Sequence, residues 1–262
     1  MSVKSDSFIR RLRLLPTITL VFLVMVWSMP TVGLIITAFR PQDEAMNSGW
    51  WEALFNPFIQ EWTLSAFETV INRDSMFDSL INTIVVAVPA TILPIMIAAN
   101  AAYAFTFLRF KGREVLFSVI VGLMVVPLQA ALVPVLRFLV WLKMEFGIEI
   151  VGGFAGTWIV HSAFAMPLAI YILRNYMMTL PPSLIEAARV DGASYYQIFW
   201  RLVMPMSVPA LASFAIFQFL WVWNDYLIAF IFAGDETVLT YRLLRLLGQY
   251  GDGWQDVAAG SL

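Results

Sequence analysis

Five long apolar runs limit the folds open to this chain more than any other feature of its sequence. The first extends from Leu14 to Phe39 and exceeds the roughly twenty apolar residues that are needed to cross a bilayer. Backbone N–H and C=O groups in lipid must be paired within the protein, so runs of this length predict helices. We therefore predict an all-α, polytopic helical bundle. Its five spans are span 1 at 14–39, span 2 at 80–108, span 3 at 115–136, span 4 at 154–173 and span 5 at 208–232.

The composition agrees with a membrane protein and excludes several kinds of site. Of 262 residues, 60% are hydrophobic and 13% are charged, and the mean hydropathy is +0.78. The chain has no cysteine and one histidine, so we expect neither a disulfide nor a metal site. No G-x-x-x-x-G-K-[ST] loop occurs, so we do not expect a phosphate-binding loop of this kind on the chain. We predict no catalytic residue, no cofactor on this chain and no nucleic-acid partner.

The distribution of charge predicts the orientation of the chain. The tail 1–13, the turn 109–114 and the loop 174–207 together hold 10 Lys/Arg and 4 acidic residues, whereas the remainder holds 6 and 14. Lys/Arg-rich loops stay in the cytoplasm. We therefore predict a multi-pass plasma (inner) membrane protein with a cytoplasmic N-terminus and a cytoplasmic loop 174–207. The loop 40–79 and the tail 233–262 would lie outside.

The loop 40–79 is acidic and carries tryptophans at positions 50, 51 and 62. Two interpretations stay open for it. It can meet a soluble partner outside the membrane, or it can be a solvated loop whose aromatic side chains lie at the lipid interface.

The segment 182–205 carries the most explicit local signals in the chain. Ser183 with Glu186, and Ser194 with Gln197, each fit the capping-box pattern and predict two short helices. Gly192 lies between them and can adopt the positive φ of a sharp turn. A bent pair of helices outside the bilayer is typical of a docking element.

The spacing of this segment resembles the cytoplasmic EAA loop of permease subunits of binding-protein-dependent ABC importers. Glu-Ala-Ala at 186–188 is followed by three residues, a glycine, nine residues and Leu-x-Met-Pro, where the family usually has Ile-x-Leu-Pro. Three further short motifs resemble those of the second permease of maltose-type sugar importers. They are Asn-Ala-Ala-Tyr-Ala-Phe at 100–105, Arg-Phe-Lys-Gly-Arg at 109–113 and Trp-Asn-Asp at 223–225. The resemblance covers the chain from about residue 80 to its end.

The resemblance implies that this chain forms half of a translocation path for a sugar or oligosaccharide. A second homologous permease would complete the path, two partner ATPase subunits would bind ATP and Mg²⁺, and an extracytoplasmic solute-binding protein would deliver the cargo. Family members usually continue beyond 233–262 into a sixth span, which is absent from this sequence, and we favour truncation over a five-span variant. The implied ATPase-coupling residues are Glu186, Ala187, Ala188, Asp191, Gly192 and Pro205.

Polar residues within the spans are candidates for the translocation path. Buried amides bond between helices more often than they bind substrate, whereas ionisable groups inside a span are functional candidates by default. His161 has no acidic partner in its own span, which favours a neutral, hydrogen-bonded packing role, and for Asp225 an interfacial role is equally open. The full set is Asn82, Asn100, Gln129, His161, Asn224 and Asp225.

Three alternatives remain at this point. Related permeases with the same loop carry glycerol-phosphate compounds or polyamines, so the cargo stays open. A secondary transporter driven by an ion gradient would usually place several ionisable residues near mid-membrane, where only His161 qualifies. A membrane scaffold that transports nothing would show no ATP-linked flux of solute.

Overall fold

The computed structural model describes residues 3–72, 76–247 and 252–262, with side chains from Leu14 onward. The basic side chains of the tail 1–13, which we predict to be cytoplasmic, lie outside the described part, as does Asp74 of the loop 40–79. The described residues form α-helices and no strand, which confirms the all-α prediction. The helices are α1 (Val3–Ala38), α2 (Gln42–Asn47), α3 (Trp50–Phe55), α4 (Ser65–Asn72), α5 (Met76–Phe107), α6 (Arg113–Gly122), α7 (Leu128–Phe146), α8 (Phe154–Met177), α9 (Pro182–Val190), α10 (Tyr195–Ile198), α11 (Met204–Met206), α12 (Val208–Trp223), α13 (Leu227–Phe232), α14 (Leu239–Leu246) and α15 (Trp254–Ser261).

The chain divides into two compact units. Unit 1 holds residues 1–76 and 242–262, and unit 2 holds residues 77–241. In unit 1, α1 packs against α3 and α15, around a small core of buried alanines and leucine that includes Ala38, Ala66 and Leu246. The side chain of Arg40, directly after α1, is fully buried. Its burial is tolerated because the guanidinium donates to the carbonyl oxygens of Glu44 (3.0 Å) and Ser48 (3.1 Å). These bonds fold the segment after α1 back over the end of the helix.

Unit 2 is built around α8, which packs against α12 and α13. Its largest core cluster combines small residues, such as Ala98 and Ala169, with Leu173, Met177 and Phe214. Small side chains allow membrane helices to approach closely and gain van der Waals contact without a hydrophobic driving force. Polar side chains add hydrogen bonds between helices, as the indole N–H of Trp158 donates to the carbonyl oxygen of Val85 (2.8 Å).

Three described helices are long and apolar enough to cross a membrane, at Leu14–Ala38, Met76–Phe107 and Phe154–Met177. Two bent helix pairs raise the number to five if each pair counts as one span. One pair joins Arg113–Val125 to Leu128–Phe146 at 108°, and the other joins Tyr195–Met206 to Val208–Trp223 at 70°. The limits of the five predicted spans remain a prediction.

The predicted spans 3 and 5 are not single helices. Within span 3, α6 and the 3₁₀ turn Leu123–Val125 end at Val126, whose extended backbone (φ −70°, ψ 117°) is the conformation favoured before proline. Pro127 then begins a new direction for α7. Within span 5, α12 ends at Trp223, and α13 starts after a short break at 224–226. Val126 and Pro127 at the first break line a cavity of unit 2, and the second break contains Asn224 and Asp225.

Candidate functional site

The helix that carries Glu186 begins earlier than the capping pattern predicts. α9 begins at Pro182, which lacks an N–H and whose fixed φ suits the first helical position. Its N-cap residue is Pro181, and no side chain caps the helix. Ser183 therefore lies inside the first turn, and the capping box predicted for Ser183 and Glu186 is wrong. The Glu186 carboxylate is left free of that structural role.

The second predicted capping box is formed. Ser194 Oγ accepts the backbone N–H of Gln197 (3.3 Å), and Gln197 Oε1 accepts the backbone N–H of Ser194 (2.8 Å). Gly192 takes a left-handed φ of +82°, and its N–H donates to the carbonyl oxygen of Arg189 (3.0 Å). The turn and the box together fix the angle at which α9 leads into α10. Beyond α10, a π-helical turn at Phe199–Val203 continues into α11, which contains Pro205.

α9 is held from one side and open on the other. Ile185 is buried in the main core of unit 2 together with Ile198 and Phe199. Glu186 and Ala187 are exposed, and Ala188 is half-buried. No hydrogen bond or ion pair to the Glu186 carboxylate occurs among the described residues. Asp191, exposed at the end of α9, donates its backbone N–H to the carbonyl oxygen of Ala187 (2.9 Å).

Charged side chains tie this loop to the ends of neighbouring helices. Arg189 Nη2 donates to the carbonyl oxygen of Phe107, at the end of α5 (3.2 Å). Arg174 of α8 pairs with Glu114 of α6 (3.2 Å), and its guanidinium lies 3.9 Å from the centre of the Phe117 ring. A cleft of about 450 Å³ opens beside α9. Its charged lining residues are Arg109, Arg113, Glu186 and Arg189.

The four amides predicted for the translocation path are not brought together by any contact between them. Asn82 Nδ2 donates to the carbonyl oxygen of Thr237 (3.1 Å) and to a carboxylate oxygen of Glu236 (3.3 Å). Asn100 and Asn224 each donate to the carbonyl oxygen four residues earlier in the chain, those of Met96 (2.8 Å) and Leu220 (2.7 Å). Gln129 is exposed in the first turn of α7.

His161 and Asp225, by contrast, meet. His161 Nε2 lies 3.6 Å from Asp225 Oδ2, and the His161 side chain is completely buried. Neither ring nitrogen of His161 has a hydrogen-bond partner among the described residues, so the hydrogen-bonded role predicted for it is not observed. Asp225 Oδ2 accepts the backbone N–H groups of Ile228 (2.9 Å) and Ala229 (3.1 Å), in the first turn of α13.

A profile of the family described as "Binding-protein-dependent transport system inner membrane component" matches residues 90–252. This match covers more than half of the chain and includes α9 and its turn. The chain belongs to this family. It is therefore the permease subunit of a transport system, as the EAA loop predicted.

Relatives of the permease extend the agreement over most of its length. The osmoprotective compounds uptake permease protein GgtD of Synechocystis sp. is 43% identical over 248 residues, which cover 93% of this chain and 81% of that protein. The alpha-glucoside transport system permease protein AglG of Rhizobium meliloti is 48% identical over 203 residues, which cover 76% of this chain and 53% of that protein.

A solved structure shares the fold of the permease. A crystal structure of a bacterial ABC transporter involved in the import of the acidic polysaccharide alginate matches with a TM-score of 0.75 at 19% identity. The match covers 99% of this chain and 92% of that chain. The fold is therefore that of an ABC permease.

The sequence interpretation missed one polar residue of the permease. Gln218 is 1% exposed, and its Nε2 donates to the carbonyl oxygen of Ala90 (3.2 Å) while its Oε1 has no partner among the described residues. It lines a cavity of about 620 Å³ between α7, α8 and α12, which is otherwise mainly apolar. Trp221, also in the lining, meets His161 edge-on with 6.3 Å between ring centres. A lone glutamine in the middle of an apolar span was the available signal.

Proposed function

We propose that the permease forms half of the translocation path for a sugar or oligosaccharide in an ATP-driven importer. A second homologous permease would complete the path, and two separate ATPase subunits would bind ATP and Mg²⁺. A solute-binding protein would deliver the cargo to the outer face, with the N-terminus of the permease in the cytoplasm.

The open face of α9 is the observation that carries this proposal. Ile185 anchors the helix in the core, so a force applied to α9 is passed to unit 2 rather than absorbed by a loose loop. Glu186 can accept a charge-assisted hydrogen bond from a cationic side chain of a partner. Ala187, one residue further, leaves the helix backbone open to close approach. The coupling set is the implied one: Glu186, Ala187, Ala188, Asp191, Gly192 and Pro205.

Movement of α9 would spread through defined contacts. The bond from Arg189 to Phe107 reaches α5, and the capped turn at Ser194 leads through α10 and α11 to α12. ATP-driven closure of the ATPases would thus displace several helices of unit 2 together. His161 and Asp225, whose nearest polar atoms lie 3.6 Å apart, belong to the same unit and remain, with the four amides, candidates for cargo contact or gating.

The cargo proposal draws on the names of relatives. Besides the alpha-glucoside permease, arabinooligosaccharide permease AraQ of Halalkalibacterium halodurans is 28% identical and covers 94% of this chain. The name of the Synechocystis relative makes an osmoprotective compound the second candidate. Calorimetric titration of the associated solute-binding protein decides between them. Binding of alpha-glucosides or oligosaccharides supports the first, and binding of osmolytes alone overturns it.

Glu186→Lys tests the coupling role. We expect the variant to insert in the membrane normally but to lose solute-stimulated ATP hydrolysis, because a cation replaces the acceptor at the docking face. The measurements are ATPase activity in proteoliposomes with and without loaded binding protein, and the amount of ATPase that purifies with the permease.

Glu145→Lys is the matched control, since Glu145 is also an exposed carboxylate but lies between spans 3 and 4, on the side opposite the turn 109–114 under the predicted orientation. It should keep full stimulation. Normal stimulation in Glu186→Lys, or equal loss in both variants, would refute the assignment. Solute uptake that persists without ATP in the unchanged protein would instead favour ion-driven transport.

A further inference from the structure

The short helix α3, after the first span, has three distinct faces. Trp50 and Ala53 face α1: Ala53 is 1% exposed, and a Cβ added to Gly33 of α1 would come within 2.9 Å of the Trp50 ring. Trp51, Leu54 and Phe55 follow the i, i+3, i+4 spacing and share a second face. Glu52 lies on a third, exposed side.

The chain after this second face carries further apolar side chains that are almost fully exposed. Phe55 is 81% exposed, Phe58 101% and Ile59 82%, and all three lie within one short segment. Trp51, Leu54 and Trp62 are each about half exposed beside them. Soluble surfaces rarely present large contiguous apolar patches, so this surface needs an occupant.

The depth of α3 beside α1 identifies that occupant. The apolar part of α1 is Leu14–Ala38, with its midpoint at Val26. At about 1.5 Å per residue, Gly33 lies roughly 10 Å from this midpoint. The hydrocarbon core extends about 15 Å from its centre. With the midpoint of this run at the bilayer centre, the contact between Trp50 and Gly33 would lie within the hydrocarbon depth, and α3 would lie close to its boundary.

The remaining features of the segment fit this location. Arg40 and its bonds to the Glu44 and Ser48 carbonyl oxygens hold the chain folded over the end of α1, so the segment cannot swing out into water without breaking them. Glu52 and Glu61 are exposed on either side of the apolar surface. Aromatic side chains flanked by charges are typical of helices that lie in the membrane interface.

We propose that residues 50–62 form an interfacial anchor whose apolar surface inserts into the lipid leaflet at which α1 ends. Under the proposed orientation this is the outer leaflet, but the anchor does not depend on which leaflet it is. The acidic helix α2, with its exposed Asp43, would then remain available to a soluble binding protein. Under this proposal, each interpretation of the loop 40–79 would apply to a different segment.

Site-directed spin labelling tests the anchor, because the chain has no native cysteine. Phe55→Cys, Phe58→Cys and Ile59→Cys are labelled singly in the full-length permease, assembled with its partners in vesicles of phosphatidylethanolamine and phosphatidylglycerol. Glu52→Cys and Asn47→Cys serve as controls on the polar side. At positions 55, 58 and 59 we expect the collision rate with O₂, which concentrates in lipid, to exceed that with a water-soluble nickel chelate. The order should be reversed at positions 47 and 52.

A higher rate with the nickel chelate at positions 55, 58 and 59 would overturn the anchor in favour of an aqueous surface. Low rates with both reagents would overturn it in favour of a protein partner, and a decrease in the O₂ rate at these positions on addition of loaded binding protein would identify that partner. Ile59→Cys keeps the test decisive where either phenylalanine variant fails to assemble.

Discussion

Asp225 contacts three helices, α8, α13 and α14. Its carboxylate accepts the N–H groups that begin α13 and faces His161 of α8, while its carbonyl oxygen accepts the hydroxyl of Thr240 (2.7 Å). The backbone bonds and the charge can be separated experimentally, because asparagine accepts the same N–H groups but carries no charge.

We predict that Asp225→Ala lowers the free energy of unfolding by about 1 kcal/mol, the typical value of a lost helix cap, whereas Asp225→Asn keeps most of the stability. Thermal unfolding of the purified permease in detergent measures both. If the charge facing His161 serves transport, Asp225→Asn should still reduce solute uptake. Equal destabilisation by the two variants would show that the backbone bonds are not the main contribution.

The pairing of His161 with Asp225 could not be predicted from the sequence. The two residues belong to different helices and lie far apart in the chain, and neither carries a local signal that points to the other. Asn100 lies inside α5, whereas Asn224 follows the end of α12, and their bonds to Met96 and Leu220 depend on rotamers that the sequence does not specify.

At the scale of elements, local signals succeed where no neighbouring residue competes. The Ser194 box forms, and no proline beside it competes for the first position of α10. The Ser183 box fails because Pro182 is better suited to the first helical position than to a place outside the helix. The same competition at Pro127 breaks span 3, which hydropathy alone presents as continuous.

This difference between the boxes gives a matched prediction. Ser194→Ala should lower the free energy of unfolding by about 1 kcal/mol, because it removes the acceptor for the Gln197 N–H. Ser183→Ala should have no measurable effect. The comparison again uses thermal unfolding, and a larger loss for Ser183→Ala would contradict the assigned helix start.

Two glycines with nearly the same conformation test the role of the turn between α9 and α10. Gly192 (φ +82°) and Gly112 (φ +81°) have open space where a Cβ would lie, so alanine adds only backbone strain of about 1 kcal/mol at either position. We expect both variants to lose similar stability, but only Gly192→Ala to reduce solute-stimulated ATP hydrolysis. Equal ATPase activity in the two would show that the angle between α9 and α10 is unimportant for coupling.

At the scale of the whole molecule, the orientation predicted from charge can be measured directly. In the cysteine-free chain, Lys111→Cys should react with a membrane-impermeant thiol reagent only after cells are opened, because the turn 109–114 is predicted to be cytoplasmic. Asn47→Cys should react in intact cells. Reversed labelling of the pair would invert the orientation and place α9 beyond reach of a cytoplasmic ATPase.

The break between α6 and α7 also determines which flank of unit 2 can be wet. The Ala130 N–H of α7 donates to the Pro127 carbonyl oxygen (3.0 Å), but helix geometry leaves the N–H groups of Leu128 and Gln129 without an intrahelical acceptor. Inside hydrocarbon such groups cost several kcal/mol each unless water or protein satisfies them. Val126 and Pro127 lie in the wall of the large cavity. We therefore expect water or a neighbouring protein, rather than acyl chains, to cover this break, which would constrain the rotation of unit 2 about the membrane normal. Unpaired backbone groups, rather than polar side chains, would then decide which side of unit 2 is kept from lipid.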